Sequence, residues 1–173
     1  TDKATENYDF WMLKFNSEAQ LEWNKTYGGS GDERGSSIIE TSDGGYALLG
    51  YSDSTDGGVS SNNGNRDFWL VKINASGGVS WQKSFGYEGV DEGVSIIETS
   101  DNHLMLSGVL DVTASGGEGN QGRFSTRHAG GDYWSIKITP TGDIVWSRFY
   151  GGSFTDSPTG ISETLIGGFI NVG

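Results

Sequence analysis

Residues 9–29, DFWMLKFNSEAQLEWNKTYGG, alternate apolar and polar types in two short runs and stop at a glycine pair. Within 21–27, Leu21, Trp23, Lys25 and Tyr27 fall on one side, and Glu22, Asn24 and Thr26 on the other. Successive side chains of an extended chain point to opposite faces, so a period of two predicts a pleated strand. The pattern returns as DFWLVKINASGGVSWQKSFGY at 67–87 and as DYWSIKITPTGDIVWSRFYGG at 132–152. Two further apolar runs follow each copy, and in the first unit the predicted strands are 9–15, 21–27, 37–42 and 45–51. SDGG at 42–45 predicts a tight hairpin turn, because glycine enters positive φ without a Cβ clash. NASGG and TPTGD close the first hairpin of the second and third units. No segment keeps an apolar period of 3.6, so the fold class is all-β.

Asp9 recurs 58 residues later as Asp67 and a further 65 residues on as Asp132. The units align without internal gaps, and only the connection before the third is longer. Aligned columns hold one residue type in all three: Trp11, Trp69 and Trp134; Lys14, Lys72 and Lys137; Trp23, Trp81 and Trp146; Gly28, Gly86 and Gly151; Gly50, Gly108 and Gly173. Four short antiparallel strands repeated at this spacing match a β-propeller blade, which buries its faces only against neighbouring blades. The expectation is three consecutive four-stranded antiparallel β-propeller blades, at about 9–51, 67–110 and 132–173, with a long inter-blade loop at 111–131. Propellers close with about 4–8 blades, so three units predict part of a larger propeller. Further blades come either from the same parent chain or from a second copy. All six Trp are expected in inter-blade packing. Lys25, Lys83 and Arg148 are expected to pair across strands with Glu40, Glu98 and Glu163 of their own blades.

Composition narrows the function classes. The formal net charge is −12, which repels phosphate backbones and argues against nucleic acid as a partner. There is no Cys, hence no disulfide and no thiol nucleophile. No apolar run approaches the roughly 18 residues of a membrane span. The chain begins at Thr1 rather than Met, which suggests a processed protein or a piece of a longer one.

DFWLVKINASGGVSWQKSFGY and the following GVSIIETSDNHLMLSG resemble the bacterial β-propeller repeat family of secreted and cell-surface proteins, common in Bacteroidetes. The resemblance covers nearly the whole chain. It implies a secreted or cell-surface bacterial protein and a non-catalytic scaffold, adhesion or protein-interaction module. The alternative is a carbohydrate-binding, lectin-like or hydrolase propeller with its site on the long-loop face.

In a propeller the turns between strands one and two and between three and four share one face. The loops between strands two and three, and between blades, share the other, and here that second set is long and varied. A protein or glycan partner is expected there. Asp9, Asp67 and Asp132 are expected to begin the innermost strands and ring the axis at that face, with Glu33, Asp91 and Asp156 in the adjoining loops. Two readings stay open for these carboxylates. They accept backbone N–H bonds and fix the turns, or they gather a hard cation, for which Ca²⁺ is the candidate. Arg123, Arg127 and His128 form a basic island in the longest loop and are candidate partner contacts. The only other histidine is His103, and neither a His-x-x-x-His pair nor a G-x-S-x-G elbow occurs, so no catalytic residue is assigned.

Overall fold

A computed structural model of the chain describes residues 7–111, 131–151 and 154–173. Twelve strands follow one another, with no helix among the described residues. β1 (Phe10–Phe15) and β2 (Leu21–Tyr27) form a hairpin. β3 (Glu33–Glu40), β4 (Tyr46–Ser52), β5 (Asp67–Ile73) and β6 (Val79–Phe85) form a four-stranded antiparallel sheet in that order. β7 (Glu92–Glu98), β8 (Leu104–Leu110), β9 (Asp132–Ile138) and β10 (Ile144–Tyr150) form a second one. β11 (Gly160–Glu163) and β12 (Phe169–Val172) form a closing hairpin. The described strands make no closed ring.

The strands are where the alternation puts them, but they are grouped differently. β4 pairs with β5 and β8 with β9, whereas β2 and β3 do not pair. Each four-stranded sheet therefore joins the second half of one sequence unit to the first half of the next, and the expected groups 9–51, 67–110 and 132–173 are shifted by two strands. The reason lies in β5. Its near-continuous apolar run DFWLVKI is buried at all seven positions, so it needs packing on both faces and sits between β4 and β6. β3 also starts four residues earlier than expected, because its pairing with β4 runs past a register shift between Gly35 and Ser37. The extra residue, Ser36, donates its hydroxyl to the carbonyls of Leu49 and Gly93, tying the two sheets together.

Turn chemistry follows the sequence. Gly44, Gly77 and Gly142 take φ of 78°, 80° and 85° in the hairpin turns.

One set of contacts recurs along the stack. Phe10 meets Trp69 at 4.7 Å between ring centroids, and Phe68 meets Trp134 at 4.9 Å, each pair crossing from one layer to the next. Trp23 lies 6.3 Å from Tyr46 and Trp146 5.9 Å from Phe169 in the same way. The core between the two sheets holds Leu49, Phe68, Leu70, Ile96, Leu106, Trp134 and Ile136. A second cluster joins Phe10 and Met12 of the first hairpin to Trp69, Val71 and Ile73 on the opposite face of β5. Burying one such large side chain contributes about 2–3 kcal/mol. Trp11 breaks the expected column. It is 63% exposed, where Trp69 and Trp134 are 1% and 4%.

The expected ion-pair ladder is also replaced. Glu98 accepts from the backbone N–H and hydroxyl of Ser42, and Glu163 does the same for Ser100. These glutamates cap a turn of the adjacent layer, because the strand end carries them beyond their own sheet. Lys83 reaches Asp143 at 3.0 Å, and the Arg148 guanidinium donates to the Ser147 carbonyl. Position 78, which corresponds to Asp143, is glycine, so Lys25 is offered no acid there. The lysine column Lys72 and Lys137 instead pairs with Asp43 and Asp101 in the turns next door, at 2.8 and 2.7 Å.

Candidate functional site

The loops at one end of the sheets interlock through their backbones. Residues 28–32, between β2 and β3, lie against residues 53–66, between β4 and β5. Gly58 N–H donates to Gly28 C=O at 2.9 Å, Ser30 N–H to the Asp56 carboxylate at 2.7 Å, and Gly31 N–H to the Ser54 hydroxyl at 2.7 Å. Val59 is buried beneath this loop with the Phe10 and Trp69 cluster. The far end of 53–66 crosses to the next connection, where Asn65 N–H donates to Gly89 C=O at 2.8 Å and Asp91 N–H to Arg66 C=O at 2.7 Å. Short polar residues and glycines permit this, because they leave backbone groups free to pair with one another.

The two acidic columns meet at these loops in pairs. A Cβ on Gly28 would stand 2.1 Å from Asp9 Oδ1 and 2.2 Å from Glu33 Oε2. A Cβ on Gly86 would stand 2.2 Å from Asp67 Oδ1 and 2.9 Å from Asp91 Oδ2. Gly151 gives the same room to Asp132, at 2.1 Å. The repeated glycine is thus the space into which the carboxylates fold. Asp67 and Asp132 begin the third strand of their four-stranded sheets in chain order, an interior strand rather than an edge one. Asp156 is half-buried, and its backbone N–H donates to Gly131 C=O at 2.9 Å.

Each described pair serves the loop backbone. Glu33 is fully buried and accepts from Gly29 N–H at 2.8 Å and from the hydroxyls of Ser52 and Ser54. Asp91 is fully buried and accepts from Tyr87 N–H and Asp111 N–H, both at 2.7 Å. Asp67 accepts from Asn63 N–H at 2.7 Å. Burial raises the pKa of all three despite these donors. For Asp91 burial dominates, the nearby Asp67 and Asp111 charges add to it, and the carboxyl is pushed up to about 7. Among the described residues, no three His, Asp or Glu side chains converge as a metal cage.

Arg123, Arg127 and His128 lie outside the described residues, as does nearly all of the 111–131 connection. His103 sits in the turn before β8, its Nδ1 3.0 Å from the Asp101 carbonyl oxygen. The sequence reading offers backbone N–H donors for these carboxylates as one alternative but does not single out the particular partners: Ser52, Ser54 and the N–H groups of Gly29, Asn63, Tyr87 and Asp111. The available signal was the glycine column Gly28, Gly86 and Gly151, each at a carboxylate pair or its equivalent. No described helix is long and apolar enough to cross a membrane. The chain matches no family model and no curated protein.

Proposed function

We propose that this chain is a run of β-propeller blades and works as a non-catalytic scaffold or protein-interaction module. Its interlocked loops are the surface offered to a partner. The observation that carries this reading is the use made of the buried acids. Glu33 and Asp91, both 0% exposed, spend both carboxylate oxygens on loop N–H and hydroxyl groups. Asp67, 1% exposed, accepts from Asn63 N–H through Oδ2, while its buried Oδ1 has no hydrogen-bond partner among the described residues. A general acid must reach the bond it protonates, so a glycosidase pair hidden behind its own loop is poorly placed. The bacterial secreted or cell-surface setting rests on the resemblance of the repeat.

A glycan array combined with calcium-dependent melting tests this reading. The scaffold role predicts no sugar-dependent signal and a melting temperature unchanged between millimolar Ca²⁺ and excess chelator. Sugar-specific binding would move the assignment to a lectin-like module. A melting temperature that climbs with calcium concentration would make the loop carboxylates a cation site.

A further inference from the structure

Two half-sheets are left over at opposite ends of the stack. β1–β2 corresponds by repeat to β5–β6, and β11–β12 corresponds to β3–β4 and β7–β8. In both complete sheets the halves join where β4 meets β5 and β8 meets β9. Among the described strands, β1 pairs only with β2, and β12 only with β11. Among the described residues the two halves do not meet. The first hairpin packs on the face of β5 that points away from the second sheet, and β12 sits on the far face of that second sheet through Asn171 and Ser135.

We propose that β12 of one copy of the chain pairs antiparallel with β1 of a second copy, so that two copies complete each other's half-sheets. This rests on the propeller reading above. The register follows from the repeat. Gly50 faces Trp69 and Gly108 faces Trp134, so Gly173 faces Trp11 of the second copy. Leu48 faces Val71, so Asn171 faces Leu13. Two whole sheets from each copy and two composite ones make a ring of six, inside the range of about 4–8 that propellers use.

Three independent features fit this partner. The first is an open groove of about 490 Å³ between 8–13 and 33–38, beside the free edge of β1. In the complete junction Ile96 is 2% exposed beneath Ala47 and Leu49, while its counterpart Ile38 is 50% exposed along this groove. Ile170 and Val172 are the counterparts of Ala47 and Leu49, each 61% exposed, and the proposed register lays them on Ile38. The second is Trp11, whose counterparts are covered by Phe10 and Phe68. The residue in that column of the last sheet is the half-buried Tyr133. The third is charge. Lys72 and Lys137 take their acid from the turn of the adjoining half-sheet, Asp43 or Asp101. In the β11–β12 turn that position is Ile166, and Lys14 instead pairs at 2.9 Å with Glu22, where the other units have Ser80 and Val145. The acid is absent from one turn and supplied on one strand, and these are the turn and strand that the pairing brings together.

Light scattering on the 173-residue chain is expected to give twice its 18.5 kDa mass. Val172→Asp, at an exposed site, should give a folded monomer with unchanged far-ultraviolet dichroism. The chain has no native Cys, so cross-linking reads the register directly. Facing residues of an antiparallel pair have Cα atoms about 4.5–5.5 Å apart, within disulfide reach. Leu13→Cys with Asn171→Cys should oxidise to a covalent dimer. Leu13→Cys with Ile170→Cys, on opposite faces, should not. An intrachain control, Leu48→Cys with Val71→Cys, tests the complete sheet itself. If the control closes but the wild type is a monomer, or if the 13/171 pair stays reduced, the second-copy pairing is wrong and the propeller reading survives. A dimer that persists in Val172→Asp also overturns the pairing. If the control fails to close, the sheet grouping beneath the propeller reading is wrong.

Discussion

β1 and β5 are nearly the same sentence, FWMLKF against FWLVKI, and they live in different surroundings. Trp69, Val71 and Ile73 are 1%, 0% and 0% exposed, whereas their counterparts Trp11, Leu13 and Phe15 are 63%, 37% and 53%. Propensity and pattern cannot explain the difference, since they are shared. It comes from neighbours: β5 has a sheet partner on each edge and a packed layer on each face, and β1 has one of each. In a repeat architecture a residue's energetic weight is set by the junction it occupies, and the column it belongs to only says what that weight can become.

The largest test of this is a matched pair of truncations. Trp69→Ala should cost about 3–5 kcal/mol in denaturant unfolding, the usual penalty for emptying a fully buried aromatic site. Trp11→Ala should cost under about 1 kcal/mol at concentrations where the chain is dissociated. Equal losses would show that column, not junction, sets the energetics.

The acidic column divides in a similar way. Glu33 has two hydroxyls and one N–H, whereas Asp91 has two N–H groups and acidic neighbours, and its carboxyl is pushed up to about 7. A carboxyl whose pKa is raised on folding binds its proton more tightly in the folded state. Its stabilisation is complete below the ordinary value of 3.8 and is lost as pH rises through about 7. The chain should therefore lose on the order of 3 kcal/mol between pH 4 and 8 through this group. Asp91→Asn should flatten that slope in melts taken across the range, and an unchanged slope would remove Asp91 as its source.

Gly35 and Gly93 sharpen the comparison without touching charge. A Cβ on Gly93 would press on Leu49 Cγ and Cδ1, each 2.7 Å away, and on the Gly50 carbonyl at 2.8 Å. A Cβ on Gly35 meets only the Phe10 ring, at 3.7 Å. Gly93→Ala should destabilise by about 2 kcal/mol through overpacking. Gly35→Ala should be nearly neutral in the dissociated chain. A large loss at Gly35 in that state would mean that the groove beside it is closed by this chain itself.

How much of this was legible follows from the same comparison. Strand positions were readable because alternation and glycine turns are local. The sheet grouping was not, since a tandem repeat has no privileged starting point: strands one to four of a unit, and strands three and four with the next one and two, have the same period. The near-continuous apolar run DFWLVKI suits a strand covered on both faces, but DFWMLKF carries the same pattern without that cover, so the run alone does not fix the grouping. The acidic columns were visible as repeated Asp and Glu, but apart from the Ser52 and Ser54 hydroxyls on Glu33 their partners are backbone N–H groups, which every residue except proline carries, so little in the side-chain pattern marks them. The cross-strand pairing of Lys83 with Glu98 was misread for a related reason: a residue at a strand end can reach the next layer, and Glu98 spans it to Ser42.

The smallest effect separates the two lysine environments. Lys72 has a side chain 8% exposed and donates to both oxygens of Asp43, while Lys14 is 34% exposed and pairs with Glu22 on its own hairpin. The Lys72 and Thr41 side chains and the Gly45 N–H hold the Asp43 carboxyl down at about 2. Asp43 itself is 64% exposed, so solvent screens the pair from one side and its removal is worth far less than that of a fully buried one. Asp43→Asn should cost about 1 kcal/mol, chiefly by leaving the buried Lys72 ammonium short of an acceptor. Glu22→Gln should cost a few tenths, about the value of an exposed pair. The sign with pH is opposite to that of Asp91. A carboxyl lowered on folding stabilises above its ordinary value of 3.8, and that contribution is lost as pH falls through about 2. Wild type and Asp43→Asn should therefore converge in stability below pH 2 and differ most above pH 4. Two melting curves that stay parallel across that window would mean that Asp43 acts through its turn bonds to Thr41 and Gly45 rather than through its charge on Lys72.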